Sequence, residues 1–217
     1  MSARRIIDLT YDLNPQTPVY PDYPRVEITI LETVQDINPG RRSLNSSRIA
    51  IGMHCGTHMD APFHFFGNGR TIDQVPLERL VGPAVLADLR KAAKDGVVEK
   101  NDLTDFYSKL NETRRIVINT GWSCAWGKPN YFTDHPVLTS EAAQFLVDSG
   151  VQLVGIDAPS VDRPPFPAHI PLLGSDIVIV ENLTNLDAIE SEVFELIVLP
   201  LKISSREGSP VRAIALT

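Results

Sequence analysis

The sequence predicts an α/β fold, built as a single domain with a mixed central sheet and few helices. Strand-like apolar segments outnumber helical segments along the chain. A helical pattern over 139–150 is followed at once by a strand pattern over 151–157, and this alternation is typical of an α/β layer. With 217 residues and 43% hydrophobic content, the chain can bury one sizeable core but is short for two. We therefore expect residues 1–217 to form one domain.

The N-terminal part of the chain is expected to be mostly extended. Residues 6–10 are predicted to form a short strand, and four prolines within 14–24 exclude a helix because proline fixes φ and lacks an amide donor. Alternating apolar and polar residues over 26–31 predict a half-buried strand. A polar loop around 38–42 then precedes a further strand over 45–53.

The remaining segments alternate between buried strands and short helices. The predicted strands cover residues 84–89, 115–122, 151–157, 177–181 and 194–201. The helical patterns are a short helix or turn over 76–83, a helix over 103–110 capped by Asn101 or Asp102, and a helix over 139–150 capped by Thr139 or Ser140 and ended by Gly150.

Charge and composition exclude several functional classes. The net charge is −7, and the absence of a basic run argues against a nucleic-acid partner. No stretch approaches the roughly 18 apolar residues that span a membrane, and Arg4 and Arg5 are not followed by the apolar core of a signal peptide. Two cysteines, Cys55 and Cys124, do not form a disulfide framework. We therefore expect a cytoplasmic globular protein.

One stretch of eleven residues, from His54 to His64, contains three of the five histidines and the carboxylate Asp60. Imidazole and carboxylate are common ligands of zinc and similar divalent ions. His54 and His58 can converge on one metal if the backbone between them is close to a helical turn, and Asp60 can join them if the chain turns sharply. A simpler alternative is that Asp60 caps the turn after Gly56.

This stretch resembles the H-x-G-T-H-x-D-x-P-x-H signature of the metal-dependent cyclase family, which includes bacterial kynurenine formamidases and isatin hydrolases. Every fixed position of the signature is present. The resemblance continues in the Leu-Val-Gly-Pro-Ala sequence at 80–84, the Asp-Ala-Pro-Ser-Val-Asp sequence at 157–162 and the Gly-Ser-Pro-Val-Arg-Ala sequence at 208–213. It implies a swivelling β/β/α-like domain that assembles as a homodimer or higher homo-oligomer.

The resemblance also implies the complete set of metal ligands. His54, His58 and Asp60 would bind one divalent metal, zinc or manganese. His169 and Glu181, twelve residues apart, would bind a second metal and share Asp60 with the first. Isatin hydrolase-like members tend to carry an amide at the position of Glu181 and to use one metal, so Glu181 favours two. Without the resemblance, a lone histidine such as His169 is more simply a hydrogen-bonded loop residue.

His64 lies after Pro62, outside the ligand set, and is the candidate general acid and base because imidazole titrates near neutral pH. A purely structural histidine is the alternative. Tyr20, Phe65 and Phe66 are candidate contacts for an aromatic substrate. The implied reaction is hydrolysis of the amide C–N bond of a small aromatic formamide, such as N-formylkynurenine, by metal-activated water.

Other interpretations remain open. One is hydrolysis of a cyclic amide such as isatin, another is a cyclase or dehydratase reaction on a small carbonyl substrate, and a third is a non-catalytic metal-binding protein. Cys55 and Cys124 are expected to have no chemical role. His135 is expected to be a surface loop residue, and Ser160 has no base beside it in sequence, which disfavours a serine hydrolase.

Overall fold

A computed structural model describes residues 5–34 and 44–217, so the predicted polar loop at 38–42 lies outside the described residues. The strands are β1 (Ile6–Asp8), β2 (Glu27–Glu32), β3 (Ser46–Ala50), β4 (His58–Asp60), β5 (Val81–Asp88), β6 (Val97–Val98), β7 (Arg115–Asn119), β8 (Val137–Leu138), β9 (Leu153–Ile156), β10 (Val178–Glu181), β11 (Val193–Pro200) and β12 (Gly208–Leu216). The α-helices are α1 (Lys100–Leu103), α2 (Tyr107–Thr113), α3 (Ser140–Asp148) and α4 (His169–Gly174).

Eight strands form one mixed sheet in the order β1–β12–β11–β5–β7–β9–β10–β4. The strands β5, β7, β9 and β10 run parallel to one another, and the remaining pairs are antiparallel. Because β4 also pairs with β12, the sheet closes on itself in the manner of a barrel. The predicted α/β class, with a mixed central sheet and few helices, is confirmed.

The sheet separates two buried apolar cores. Successive residues of a strand point to opposite faces, so Val85 of β5 packs into the core beneath the helices, whereas Leu86 packs into the core inside the closed sheet. Ile116 and Val117 of β7 divide in the same way. Strands buried on both faces read as continuous apolar runs, which is why the sequence predicts them readily.

Of the α-helices, α3 agrees with the sequence prediction apart from its C-terminal boundary, whereas α4 was not predicted. The segment predicted as a short helix or turn over 76–83 contains a 3-10 turn at Leu77–Arg79, and the cap predicted at Asn101 or Asp102 is wrong. The hydroxyl of Thr139 caps α3 by accepting a hydrogen bond from the third amide of the helix at 3.1 Å. The helix predicted over 103–110 is divided into α1, a 3-10 turn and α2. Its N-cap is Glu99, whose backbone amide donates to the carboxylate of Asp102 at 2.8 Å. None of the helices in the described residues has the length and apolar character that crossing a membrane requires.

The β2–β3 hairpin is the main departure from the predicted packing. The alternation over 26–31 predicts a half-buried strand, but all six residues of β2 are exposed. Among the described residues, the strand pairs with β3 alone, and Ile28 and Ile30 remain 43% and 67% exposed. The strand predicted over 45–53 likewise ends at Ala50, outside the main sheet. A period-2 pattern identifies an apolar face, but it does not show what covers that face.

Candidate metal centre

The histidine-rich stretch folds as a tight turn followed by β4, so its first two histidines come together without a helical turn between them. His58 and Asp60 are two residues apart on a strand and therefore point to the same face. The turn passes through Gly56 at φ +62°, where an added Cβ would lie 2.7 Å from a methyl group of Leu13. This turn brings Nδ1 of His54 to 2.6 Å from Oδ1 of Asp60.

The other two candidate ligands arrive from distant parts of the chain. Glu181 ends β10 and lies directly opposite His58 in the antiparallel β4–β10 pair, where facing Cβ atoms are about 4.5–5.5 Å apart. His169 is the first residue of α4, the helix that precedes β10. The closed sheet therefore brings all five predicted ligands to one place.

Apart from the 2.6 Å contact between His54 and Asp60, the distances between donor atoms fit ligands around a metal better than hydrogen-bonded pairs. Nε2 of His58 lies 3.5 Å from Asp60 Oδ1 and 3.4 Å from Glu181 Oε2. Nε2 of His169 lies 3.6 Å from Asp60 Oδ2 and 3.4 Å from Glu181 Oε1. Two ligands of a tetrahedral metal with bonds of about 2.1 Å are about 3.4 Å apart, whereas an N–H···O hydrogen bond spans about 2.9–3.0 Å.

The donors form two groups that share Asp60. One group is His54, His58 and Asp60, and the other is Asp60, His169 and Glu181. The ligand side chains are between 1% and 10% exposed, and Nε2 of His54 is buried without a hydrogen-bond partner among the described residues. A divalent cation suits this site because two buried carboxylates need positive charge nearby.

Both carboxylates are held in the ionised form. Burial and repulsion from Asp60 raise the pKa of Glu181, but the adjacent imidazoles of His169 and His58 outweigh both and bring that pKa to about 2. Burial also raises the pKa of Asp60, yet the surrounding histidines, with His54 foremost, lower it well below its ordinary value. Ionised oxygens are the form in which carboxylates bind metals.

Hydrogen bonds outside the ligand set orient two of the histidines. Nδ1 of His169 lies 2.6 Å from Oδ1 of Asp162, and Nδ1 of His58 lies 2.9 Å from the carbonyl oxygen of Gly56. Because each Nδ1 faces an acceptor, it can carry the hydrogen and would leave Nε2 to ligate a metal ion when one is bound. The second oxygen of Asp162 accepts from the amides of Ala168 at 2.6 Å and His169 at 2.9 Å. The motif at 157–162 includes Asp162, but the sequence does not show its contact with this imidazole.

We expect Asp162→Asn to weaken metal affinity by about 10- to 100-fold, the usual effect of removing an outer partner of a ligating histidine. The amide cannot keep every acceptor contact of the carboxylate, so the ring of His169 loses its fixed orientation. Competition with a chromophoric chelator measures the affinity, and Asp105→Asn, an exposed acid far along the chain, controls for the lost charge. Equal affinities in Asp162→Asn and wild type would contradict this role.

A polar cluster that sequence reasoning missed supports the turn. Asn182 follows Glu181 with φ +58° and donates from Nδ2 to the carbonyl of Gly56 at 2.9 Å. Its carbonyl accepts from the hydroxyl of Thr57 at 2.6 Å, and its Oδ1 accepts from that of Tyr131 at 2.7 Å. Asparagine is one of the few residues that adopt a positive φ readily. An asparagine directly after the strand predicted over 177–181 was therefore the sequence signal for this position.

Gly208 leaves the space that His54 occupies. It pairs with Asp60 across β12 and β4, and an added Cβ would lie 2.8 Å from the carbonyl oxygen of Met59 and 3.0 Å from Cε1 of His54. We expect Gly208→Ala to lower the free energy of unfolding by about 1–3 kcal/mol, because the backbone oxygen must shift, and to weaken metal binding. Urea unfolding measures this, with Gly67→Ala as control because an added Cβ there meets nothing within 4 Å. Equal stability of the two variants would contradict the close contact.

His64 lies beside the candidate ligands, with its ring 4.0 Å from that of His54. Burial lowers the pKa of the His64 imidazole, the charges of His54 and His169 lower it further, and those of Asp60 and Glu181 oppose them. The net shift is downward, so His64 is neutral at neutral pH and can accept a proton.

A cavity of about 830 Å³ opens at these residues, within the usual size range of ligand pockets. The residues that line it are Tyr20, Tyr23, His54, His58, Asp60, His64, Phe65, Phe132, Thr133, Ser160, Asp162, Arg163, Pro164, Phe166, His169 and Glu181. Tyr20 and Phe65 are thus placed in the cavity wall. Phe66 is not, because its ring lies against Gly174 and packs on the buried core. Phe132 and Phe166 are aromatic wall residues that sequence reasoning missed.

The predicted surface position of His135 is wrong. His135 is fully buried, and its Nε2 lies 3.3 Å from the carbonyl oxygen of Asp162, because its loop packs beneath the segment that supports His169. Both cysteines are free. Cys55 is 1% exposed, and burial raises the pKa of its thiol, which disfavours a nucleophilic thiolate.

The chain is similar to known proteins over nearly its whole length. The model of a family described as "Putative cyclase" matches residues 7–163. A kynurenine formamidase of Bacillus anthracis is 33% identical over 218 residues, covering 99% of this chain and 98% of that protein. Isatin hydrolase A from Labrenzia aggregata, bound to benzyl benzoate, superposes with a TM-score of 0.85 at 27% identity over 99% of this chain and 94% of that one. A potential metal-dependent hydrolase with cyclase activity gives a TM-score of 0.78 at 26% identity, covering 99% and 98%.

Proposed function

Because the chain belongs to the cyclase family, we propose that it is a metal-dependent hydrolase that cleaves the amide C–N bond of a small aromatic formamide. The observation that carries this proposal is the pair of ligand groups that share Asp60 at a cavity bordered by aromatic side chains. The similarity to kynurenine formamidases supports a substrate like N-formylkynurenine.

The ligand groups support two divalent ions per chain, zinc or manganese. His54, His58 and Asp60 would hold one ion, and Asp60, His169 and Glu181 the other. Histidine and carboxylate donors suit both metals. Metal analysis of protein reconstituted with each ion measures the stoichiometry, for which we expect two per chain.

When bound, a divalent ion lowers the pKa of water toward about 7 and polarises a carbonyl group. The chain's own residues supply the rest of the chemistry. The neutral imidazole of His64 takes a proton from the water that attacks the amide carbon. It returns this proton to the nitrogen that leaves when the C–N bond breaks. Tyr20 and Phe65 border the aromatic part of the substrate and limit the access of bulk water.

The deciding experiment is hydrolysis of N-formylkynurenine by protein reconstituted with zinc or manganese. We expect turnover that requires the metal and stops when a chelator removes it. Fully metallated protein that fails to hydrolyse this compound would contradict the formamide assignment. Isatin is the second substrate to assay, since the similarity to isatin hydrolase structures supports a cyclic amide as the alternative.

We further propose that the protein assembles as a homodimer or larger homo-oligomer. The β2–β3 hairpin supports this, since Ile28, Ile30, Leu31 and Ile49 are exposed by 43% to 67%, and exposed apolar clusters are typical of contact surfaces. Light scattering after size-exclusion chromatography measures the mass. A monomer at micromolar concentration would contradict this proposal.

We also propose that residues 1–217 fold as one domain and that the protein works in the cytoplasm. Two free cysteines, Cys55 and Cys124, suit a reducing compartment. Limited proteolysis of the metal-loaded protein checks the first, and cell fractionation checks the second.

A further inference from the structure

We infer that Arg163 determines substrate specificity by binding a carboxylate on the substrate, away from the amide that is cleaved. Arg163 lies in the cavity wall, where it is the only arginine or lysine among the described lining residues. The inference deepens the proposed amide hydrolase function and rests on it. The expected substrate is an aromatic amide that also carries an anionic group.

The guanidinium of Arg163 is anchored but not neutralised. Its Nη1 donates to the carbonyl oxygen of Thr133, and its Nη2 donates to that of His135 at 3.0 Å. A guanidinium has five N–H donors, so about three remain after these two bonds. Within the described residues, the ion pairs involve other arginines and lysines, and Arg163 takes part in none.

The acid beside this group is already engaged. The carboxylate of Asp134 accepts from the hydroxyl of Thr133 at 2.7 Å and from Nδ2 of Asn130 at 3.1 Å. These hydrogen bonds lower the pKa of Asp134, and the charge of Arg163 contributes less to that shift. Arg163 therefore offers a positive charge and free donors without a carboxylate of its own. A planar guanidinium can bind a carboxylate through two parallel N–H···O hydrogen bonds.

The backbone around Arg163 is well fixed. The preceding residue, Asp162, is bonded to the amides of Ala168 and His169, and the carbonyl of Arg163 accepts from the amide of Phe166 at 2.9 Å. A side chain held on a fixed loop loses little conformational freedom when it binds a ligand.

Aromatic wall residues belong to the two segments that meet at Arg163. Phe132 precedes Thr133, whose carbonyl binds Arg163, and its ring is 4.4 Å from that of Tyr20. Phe166 follows Arg163 in the same loop, with its ring 5.1 Å from that of Phe65. The aromatic part of a ligand can therefore lie between these rings while its carboxylate reaches Arg163.

Binding of two matched probes to metal-loaded protein tests the inference without turnover. The probes are 4-oxo-4-phenylbutanoate, an aryl ketone with a carboxylate, and butyrophenone, which lacks the charge. We expect Arg163→Gln to weaken binding of the anionic probe by about 10- to 100-fold and to leave the neutral probe unchanged. Arg163→Lys should restore part of the affinity. Lys100→Gln, an exposed lysine of α1 outside the cavity, controls for the change in net charge.

Three results would overturn the inference. They are failure of the anionic probe to bind wild type, equal loss of both probes in Arg163→Gln, and unchanged binding of the anionic probe in that variant. The last result would mean that the carboxylate binds at the metal centre instead. The hydrolysis assay with N-formylkynurenine is a separate measurement, so failure of the proposed reaction and failure of Arg163 as the anion-binding residue are distinguishable.

Discussion

Asp60→Asn is expected to abolish stable metal binding and, with it, amide hydrolysis. Asp60 is the one residue present in both ligand groups, so the substitution removes a donor from each. An amide has the shape of the carboxylate but not its charge, and it leaves His58 and His169 with Glu181 as their remaining carboxylate partner at the centre. We expect activity to fall by about 10³-fold or more, which corresponds to a loss of about 4 kcal/mol of transition-state stabilisation.

Metal analysis after dialysis and the initial rate of hydrolysis measure these two effects on the same sample. Asp105→Asn removes an exposed carboxylate and should match wild type in both. If Asp60→Asn kept a full complement of tightly bound metal, the shared position of this carboxylate between the two ligand groups would be wrong.

His64→Ala is expected to separate proton transfer from metal binding. His64 lies outside both ligand groups, so the variant should bind metal as wild type does. Its rate of hydrolysis should fall by about 10²- to 10⁴-fold, the usual contribution of a general acid or base. Loss of metal together with activity would instead assign His64 to the ligand set, and full activity would exclude it from proton transfer.

The pH dependence of the reaction gives an independent test of His64. Because burial lowers the pKa of this imidazole from its ordinary value of 6.5, its basic form is already populated above that pH. Activity limited by His64 should therefore fall on acidification only below pH 6.5 and stay level above it. In His64→Ala this acidic limb should disappear from the profile of kcat/KM against pH.

The sequence predicted the elements whose residues carry a local signal. The apolar run over 115–122 predicted a strand because β7 is buried on both faces. The run over 194–201 also predicted a strand, although in β11 buried residues alternate with partly exposed ones. The helix after Thr139 was marked by its cap and its spacing. His54, His58, Asp60 and His64 were identified because imidazole and carboxylate groups are concentrated in one short motif. His169 and Glu181 were identified through the resemblance to a family.

Local patterns did not predict how the site is assembled. His58 and Asp60 share a face because they lie on a strand, not on a helical turn, and Glu181 joins them only through the pairing of β10 with β4. The burial of His135, the contact of Asp162 with His169 and the position of Phe66 outside the cavity depend on packing between distant segments.

The sequence by itself determined which groups can bind metal and move a proton, since that depends on the chemistry of the side chains and their presence in the motif. The tertiary structure decided which atoms of those groups face one another and which neighbours orient them. It also placed Arg163 in the cavity wall, where its guanidinium donates to the carbonyl oxygen of His135. The physical reason is that donor distances, burial and charge compensation arise between residues more than a hundred positions apart, such as His58 and Glu181, which only the closed sheet brings together.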